Sequence, residues 1–135
     1  MAELTLGATL DELERVITFV DTELEAHNCP MKAQIQIDIA VEEIYVNIAH
    51  YAYNPEVGPA TICVKVGGEP LQVTITFVDK GVQYDPIKKA DPDISKNAEE
   101  REIGGLGIFM VKKSMDEIKY EYVDGCNILT IIKHI

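Results

Sequence analysis

The chain has 135 residues, and its 12 lysines and arginines against 23 aspartates and glutamates give a formal net charge of −11 at pH 7. This length predicts one domain that spans residues 1–135. The acidic balance, with no dense cluster of basic residues, argues against a nucleic-acid-binding surface and against docking on an anionic membrane. Three cysteines stand in no metal-binding spacing, which predicts free thiols and, with no signal-peptide pattern and no long apolar stretch, a cytoplasmic protein.

The N-terminal part predicts a short strand and an amphipathic helix. Polar and apolar residues alternate over residues 3–6, as in an edge strand. Thr9 and Glu12 then have the spacing of a capping box, so we expect a helix to begin there. Apolar residues recur at steps of three and four until about Asn28, and acidic residues fill most other positions.

A second helix is expected from Pro30 to about Tyr53. Proline suits the first turn of a helix, and Asn54 followed by Pro55 should end it. Its apolar residues occupy most of the circumference, which predicts a helix that is buried on most of its surface.

The remaining chain predicts two hairpins around a long irregular segment and a short helix. Residues 61–66 and 71–77 alternate with period two, as do residues 120–123 and 128–132. Between the hairpins, residues 80–103 show neither period, and a helix follows Gly107. The order β, α, α, β, β, α, β, β predicts an α+β two-layer sandwich: a mixed, mostly antiparallel sheet with helices on one face.

Two glycine-containing motifs flank the irregular segment. Residues 104–107, Gly-Gly-Leu-Gly, precede a helix, where free backbone N–H groups and the helix dipole favour an anion such as phosphate. Glycines at such a place also serve packing alone, so this alternative stays open. Asp79 ends a strand two residues before Gly81, and its carboxylate could accept a hydrogen bond from an exocyclic amine. The alternative is an ordinary turn aspartate.

A third motif lies on the second helix, where Glu43 and Asn47 are four residues apart and share one face. A glutamate directed inward from a mostly buried helix needs a partner or a chemical task. The alternative is that Glu43 faces solvent beside Glu42.

In this order, the three motifs resemble those of the GHKL or Bergerat-fold ATPases, which carry the histidine-kinase-like ATPase domain. Residues 41–47 resemble the N box, residues 79–86 the D-x-G box, and residues 105–111 the second glycine box. The sequences D-x-G-x-x-[FY]-D-P and G-x-G-[LI]-x-[ML]-[VI] are most similar to those of the anti-sigma-factor serine/threonine kinases.

The resemblance implies a binding site for ATP and Mg²⁺. Asp79 would receive the adenine amino group, with Gly81 allowing the base to approach, and Asn47 would coordinate Mg²⁺ between the phosphates. Gly105, Leu106 and Gly107 would bind the phosphates, and residues 86–103 would form a lid over ATP. Glu43 would be the general base.

The resemblance also implies protein partners. The expected function is ATP-dependent phosphorylation of a small anti-sigma-factor antagonist, combined with binding of a sigma factor, and a homodimer is expected. Arg15 occupies the place where these kinases contact partners, although a solvated ion pair with Asp11 or Glu12 is the alternative. The competing hypothesis for the whole chain is a nucleotide-dependent switch that sequesters a partner without transferring phosphate. An ATPase subunit of a larger machine is disfavoured, because we expect no transducer domain after Ile135.

Overall fold

A computed structural model describes residues 1–53, 56–87 and 105–135 of the chain. The elements follow the predicted order, with a 3₁₀ turn at Leu10–Glu12 before the first helix. The strands and helices are β1 (Ala2–Gly7), α1 (Leu13–Ala26), α2 (Met31–Tyr51), β2 (Pro59–Gly67), β3 (Gln72–Asp79), α3 (Gly105–Ser114), β4 (Glu117–Val123) and β5 (Cys126–His134).

The five strands form one sheet in the order β1-β2-β3-β5-β4. Each described strand pair is antiparallel, so the predicted parallel contribution is absent from this part of the chain. In register, Ile62 of β2 lies opposite Phe77 of β3, and Phe77 lies opposite Leu129 of β5. These three side chains are buried, because successive residues of a strand point to opposite faces and the helices cover only one. The predicted α+β class is confirmed.

The core lies between this covered face and the three helices. Its buried apolar side chains come from every layer: Val16, Val20 and Leu24 of α1, Ile37, Val41 and Ile44 of α2, Val111 of α3, and Ile62, Val64, Ile75, Phe77 and Ile131 of the sheet. At one end of the sheet, Lys133 of β5 donates a hydrogen bond from Nζ to the carbonyl oxygen of Ser114 at 2.8 Å. Strand β5 is thereby tied to the C-terminal end of α3.

The predicted capping box does not form. Thr9 makes no side-chain capping hydrogen bond, and α1 begins four residues later, at Leu13, after the 3₁₀ turn. The carbonyl oxygen of Thr9 accepts hydrogen bonds from the backbone N–H of Glu12 at 3.1 Å and from the Tyr45 hydroxyl at 2.7 Å. A tertiary contact with α2 therefore sets the backbone here in place of the local motif.

The prediction that α2 is buried on most of its circumference is wrong for its first half. Met31, Ile35 and Ile39 follow one another at steps of four residues and are 69%, 52% and 58% exposed. Helix α2 shares the buried core with the sheet and contacts α1 and α3, and its remaining side faces solvent. The apolar pattern correctly predicted a helix but did not predict how much of its circumference other elements cover.

The three cysteines, Cys29, Cys63 and Cys126, are free thiols, as predicted. Across residues 1–53, 56–87 and 105–135, every helix is too short or too polar to cross a membrane.

Candidate active site

A cavity of about 490 Å³ opens between α2, the start of α3 and the covered face of the sheet. Its size is within the range of small-molecule sites. Its wall is mostly apolar, with a few polar side chains at defined places. The lining residues are Ile44, Asn47, Ile48, Tyr51, Ala52, Phe77, Asp79, Val82, Gln83, Tyr84, Pro86, Ile108, Tyr120, Asn127 and Leu129. Two of the predicted site residues, Asn47 and Asp79, are thus brought into one cavity although 32 positions separate them in the chain.

Asp79, the last residue of β3, is only 6% exposed. Its Oδ1 accepts a hydrogen bond from the backbone N–H of Gly81 at 2.9 Å and a second from Nδ2 of Asn127 at 2.9 Å. Within the described part of the chain, no hydrogen bond is formed to Oδ2. A buried carboxylate with one oxygen still able to accept is suited to a ligand that presents an N–H group.

Gly81 packs directly on the C-terminal end of α2. A Cβ at this position would overlap the carbonyl group of Ala52, and Val82 donates its N–H to the same carbonyl oxygen at 2.9 Å. Only glycine allows the backbone after β3 to approach the helix this closely. The glycine of the D-x-G motif therefore lets the chain after β3 pack against the end of α2 at the base of the cavity.

Glu43 lies one turn before Asn47 on α2, close enough for the two side chains to interact. Burial raises the pKa of the Glu43 carboxyl above its ordinary value; the interaction with Asn47 opposes this rise, and the nearby charge of Glu42 adds to it. Glu42 is exposed, whereas Glu43 is half-buried. The alternative in which Glu43 faces solvent beside Glu42 is therefore not the arrangement found.

The first turn of α3 lies against Glu43. A Cβ on Gly107 would overlap the Glu43 carboxylate, so a larger residue here would require the Glu43 side chain to move. Gly105 and Leu106 begin α3, and of these two residues the structure describes only the backbone. Of the predicted lid at residues 86–103, Pro86 lines the cavity and residue 87 is described, and the rest lies outside the described residues.

Two functional candidates were missed by the sequence reasoning. Asn127 of β5 is 7% exposed and bonds to Asp79, and Tyr53 accepts a hydrogen bond from the Lys80 N–H at 2.7 Å. The Tyr53 hydroxyl also donates to the Pro59 carbonyl oxygen. For Asn127, the available signal was a polar residue at an inward-facing position of an apolar strand. The pairing of β3 with β5 was needed to identify Asp79 as its partner.

Arg15 lies apart from this cluster, on the exposed side of α1. Its side chain is 61% exposed and contacts the Glu12 carboxylate at 3.5 Å. This is the surface ion pair considered as the alternative, and such pairs contribute well under about 1 kcal/mol.

The donors present fit a magnesium ion that is shared with phosphate. Asn47 offers an amide oxygen, the kind of ligand that this hard cation prefers. Among the described residues, no group of three or more His, Cys, Asp or Glu side chains is placed to hold a metal ion by itself. An ion at Asn47 would therefore need oxygens from a bound ligand to complete its shell.

Residues 6–133 match the family described as the histidine kinase-like ATPase domain. The chain belongs to this family, which uses ATP. The match covers most of the chain and includes all three motifs.

Two similar proteins are named protein kinases. The chain is 25% identical over 103 residues to the serine/threonine-protein kinase BtrW of Bordetella bronchiseptica, covering 76% of this chain and 72% of that protein. It is 32% identical over 95 residues to the serine-protein kinase RsbW of Bacillus cereus, covering 67% of this chain and 58% of that protein. The predicted enzyme class, a protein serine/threonine kinase, agrees with these names.

Two solved structures share the fold. The RsbU and RsbW domains of a Mycobacterium tuberculosis protein superpose with a TM-score of 0.65 at 14% identity, covering 99% of this chain and 32% of that one. The SiaB-SiaC complex of Pseudomonas aeruginosa gives a TM-score of 0.61 at 15% identity, covering 98% of this chain and 89% of that one.

Proposed function

We propose that this chain is an ATP- and Mg²⁺-dependent serine/threonine protein kinase of the anti-sigma-factor type. The observation that carries the proposal is a single cleft lined by Asn47 and Asp79, with Glu43 beside Asn47 and against Gly107. Along α2, Glu43 precedes Ala52, which contacts Gly81, by nine residues, or about 13 Å of helix. This span suits a ligand with a base at one end and phosphates at the other.

The base would lie at the sheet end of the cleft. Asp79 Oδ2 would accept the hydrogen bond of the adenine amino group, and Gly81 would let the ring lie close to the backbone. The apolar lining residues, among them Ile48 and Phe77, would bury the faces of the ring.

The phosphates would lie at the helix end. Backbone N–H groups of Gly105, Leu106 and Gly107 in the first turn of α3 would face the phosphate oxygens. Asn47 would hold Mg²⁺, which neutralises phosphate charge when bound. Residues 86–103 would close over the ligand.

Glu43 would act as the general base. Its carboxylate takes the proton of a serine or threonine hydroxyl as the hydroxyl oxygen bonds to the γ-phosphorus, and the bond from that phosphorus to the β-phosphate oxygen breaks to release ADP. Support comes from its half-buried position against Gly107 and from the raised pKa, which makes it a stronger base than an exposed glutamate.

The protein substrate would be a small anti-sigma-factor antagonist, and a sigma factor would be a second partner. Arg15, exposed on α1, would contribute to these contacts. We further propose that the chain acts as one domain and forms a homodimer in the cytoplasm.

Two measurements test this function. Calorimetric titration with Mg-ATP should give saturable binding to the wild-type chain and binding at least about tenfold weaker to Asp79→Asn, because a hydrogen bond to a charged group contributes about 1.5–3 kcal/mol. Absence of binding to the folded wild-type protein would overturn the ATP site.

The second measurement is incubation with γ-labelled ATP and a candidate antagonist. A labelled serine or threonine on the antagonist supports the kinase. Nucleotide-dependent binding of the antagonist without labelling would instead support the sequestering switch.

A further inference from the structure

We infer that Asn127 is a positioning residue: it fixes the orientation of the Asp79 carboxylate and thereby sets the preference of the cleft for a base that carries an amino group. The inference rests on the proposed binding of ATP. It concerns a residue that none of the three motifs contains.

The sheet places Asn127 directly beside Asp79. The two residues are paired in the antiparallel ladder of β3 and β5, so their side chains project from neighbouring positions on the covered face. Both are nearly inaccessible to solvent, at 7% and 6% exposed. A buried amide at this place must find its hydrogen-bond partners within the protein.

The side chain of Asn127 uses its full hydrogen-bonding capacity on the protein. Its Nδ2 donates to Asp79 Oδ1 at 2.9 Å and to the Val82 carbonyl oxygen at 2.9 Å, with the Gly81 carbonyl oxygen farther away at 3.4 Å. Its Oδ1 accepts from the Tyr84 N–H at 3.1 Å and from the Tyr120 hydroxyl. An amide has two N–H donors and two acceptor lone pairs, and all four are used.

These partners also determine which way the amide faces. With oxygen and nitrogen exchanged, the amide oxygen would meet the Asp79 carboxylate and the Val82 carbonyl, and the NH₂ group would meet the Tyr84 N–H. Each of these would place acceptor against acceptor or donor against donor. Only one orientation is consistent with the surroundings.

Two consequences follow for the ligand. Asp79 Oδ1 is occupied by Gly81 and Asn127, so Oδ2 is the oxygen left to accept from a ligand. Asn127 keeps no N–H to donate, so this end of the cleft offers an acceptor and withholds an amide donor. A base with an amino group at that position, as in adenine, is accepted, and a base with a carbonyl oxygen there, as in guanine and hypoxanthine, is rejected.

Calorimetry with ATP and with ITP, which carries a carbonyl oxygen in place of the amino group, tests the inference. Asn127→Leu removes the hydrogen bond to Asp79 together with the other side-chain hydrogen bonds of Asn127, and should weaken ATP binding at least about tenfold. Because Asp79 is then free to turn, the preference for ATP over ITP should also fall.

Asn127→Asp adds a second measurement, the pH dependence of ATP affinity, which would not change if Asn127 served only to stabilise the fold. It places a second carboxyl group against Asp79, and two adjacent carboxylates resist joint ionisation. At low pH the pair shares a proton, which restores a donor to Asp79; at higher pH both groups ionise and repel. The ratio of variant to wild-type ATP affinity should therefore fall as pH rises from about 5.5 to 8, and using the ratio cancels the titration of ATP itself.

Tyr120→Phe and Tyr122→Phe provide a matched pair. Tyr120 donates to Asn127 Oδ1, and its loss should weaken ATP binding about two- to tenfold, the effect of one neutral hydrogen bond. Tyr122 neighbours Asn127 in the β4–β5 ladder but makes no hydrogen bond to it among the described residues, and its variant should bind as wild type.

Thermal unfolding of each variant identifies those that fold. If Asn127→Leu or Asn127→Asp does not fold, Tyr120→Phe decides the question. Folded variants with wild-type ATP affinity, an unchanged ATP-to-ITP ratio and no pH dependence of the affinity ratio would overturn the inference while the proposed function stands. A wild-type chain that binds neither nucleotide would instead overturn the proposed function, and this inference with it.

Discussion

At the scale of single residues, Glu43 and Glu42 form a natural comparison because they are adjacent and carry the same charge. Glu43 is half-buried against Gly107, and Glu42 is exposed. Replacing Glu43 with Gln removes the base without changing the shape of the side chain. We expect phosphate transfer to fall about 10²- to 10⁴-fold while Mg-ATP binding changes only a few-fold.

Single-turnover transfer and calorimetry on the same protein check this prediction. Glu42→Gln is the control, with transfer expected within a few-fold of wild type. Equal transfer by wild type and Glu43→Gln would exclude Glu43 as the base.

The pH profile gives a second prediction for Glu43. Burial raises its pKa, and a general base must be deprotonated, so the rate should rise with pH through a midpoint above the 4.5 of an ordinary glutamate. The charge of Glu42 adds to the rise, so Glu42→Gln should move the acid limb of kcat/KM to lower pH. If the acid limb of kcat/KM is the same in Glu42→Gln as in the wild type, the limb reports the ionisation of a group other than Glu43.

The candidate residues differ in how well the sequence could predict them. Glu43, Asn47, Asp79, Gly81 and Gly107 stand in short local motifs, and of these Asn47 and Asp79 line one cavity. Asn127 stands in no motif, since its role depends on β3 lying beside β5, a pairing between strands that are not consecutive in the chain.

At the scale of elements, the packing of α1 on α2 places two carboxyl groups together. Asp38 of α2 lies near Asp21 of α1, Gln34 donates a hydrogen bond to Asp21 at 3.2 Å, and Oδ1 of Asp38 is buried without a hydrogen-bond partner among the described residues. Burial raises the pKa of Asp38 to about 7, and the interactions with Asp21 and Glu25 add to the rise.

This pair predicts a stability effect with a defined sign. Between pH 3.8, the ordinary pKa of an aspartate, and about pH 7, the folded chain keeps the Asp38 proton that the unfolded chain has lost, so this contribution to stability is lost as pH rises through that window. Asp38→Asn keeps a hydrogen-bond donor and has no charge. It should stabilise the protein at pH 8 by about 1 kcal/mol after allowance for solvent exposure, and have little effect near pH 4.

Thermal or urea unfolding of Asp38→Asn and wild type at both pH values measures the difference. Glu23→Gln, which removes a charge from α1 outside this cluster, is the control. A variant that is equally stabilised at pH 4 and pH 8 would contradict the titration of Asp38.

The junction between β3 and α2 gives another prediction at this scale. Gly81→Ala would force the Cβ into the Ala52 carbonyl group, and backbone on both sides prevents easy relief. We expect a loss of about 2 kcal/mol or more in the free energy of unfolding, together with weaker ATP binding. Gly67→Ala, where nothing lies within 4 Å of the added atom, should change stability by less than about 1 kcal/mol.

Local patterns predicted the elements well and their contacts less well. Alternation gave both hairpins, and the period of 3.6 gave α1 and α2. The start of α1 was wrong because Tyr45, distant in sequence, bonds to the Thr9 carbonyl. The predicted burial of α2 was wrong for its first half, because an apolar pattern does not reveal how many other elements pack against a helix.

At the scale of the whole molecule, the negative charge and the proposed anionic ligand are compatible. Residues 1–60 hold 11 acidic and 2 basic side chains, and many of the acidic ones lie on the outer faces of α1 and α2. The proposed phosphate end is formed by backbone N–H groups at the start of α3 and by Mg²⁺ at Asn47. Local fields of this kind act at short range, whereas exposed charges are screened over about 10 Å at moderate salt.

Strand β5 contacts two distant parts of this arrangement. Asn127 at its beginning holds Asp79, and Lys133 near its end donates to Ser114 at the end of α3. Six residue steps separate the two anchors, about 20 Å of extended chain. One strand therefore contacts both the base end of the cleft and the C-terminal end of α3, the helix whose first turn forms the proposed phosphate end, so moving α3 along the sheet would require breaking the Lys133 contact.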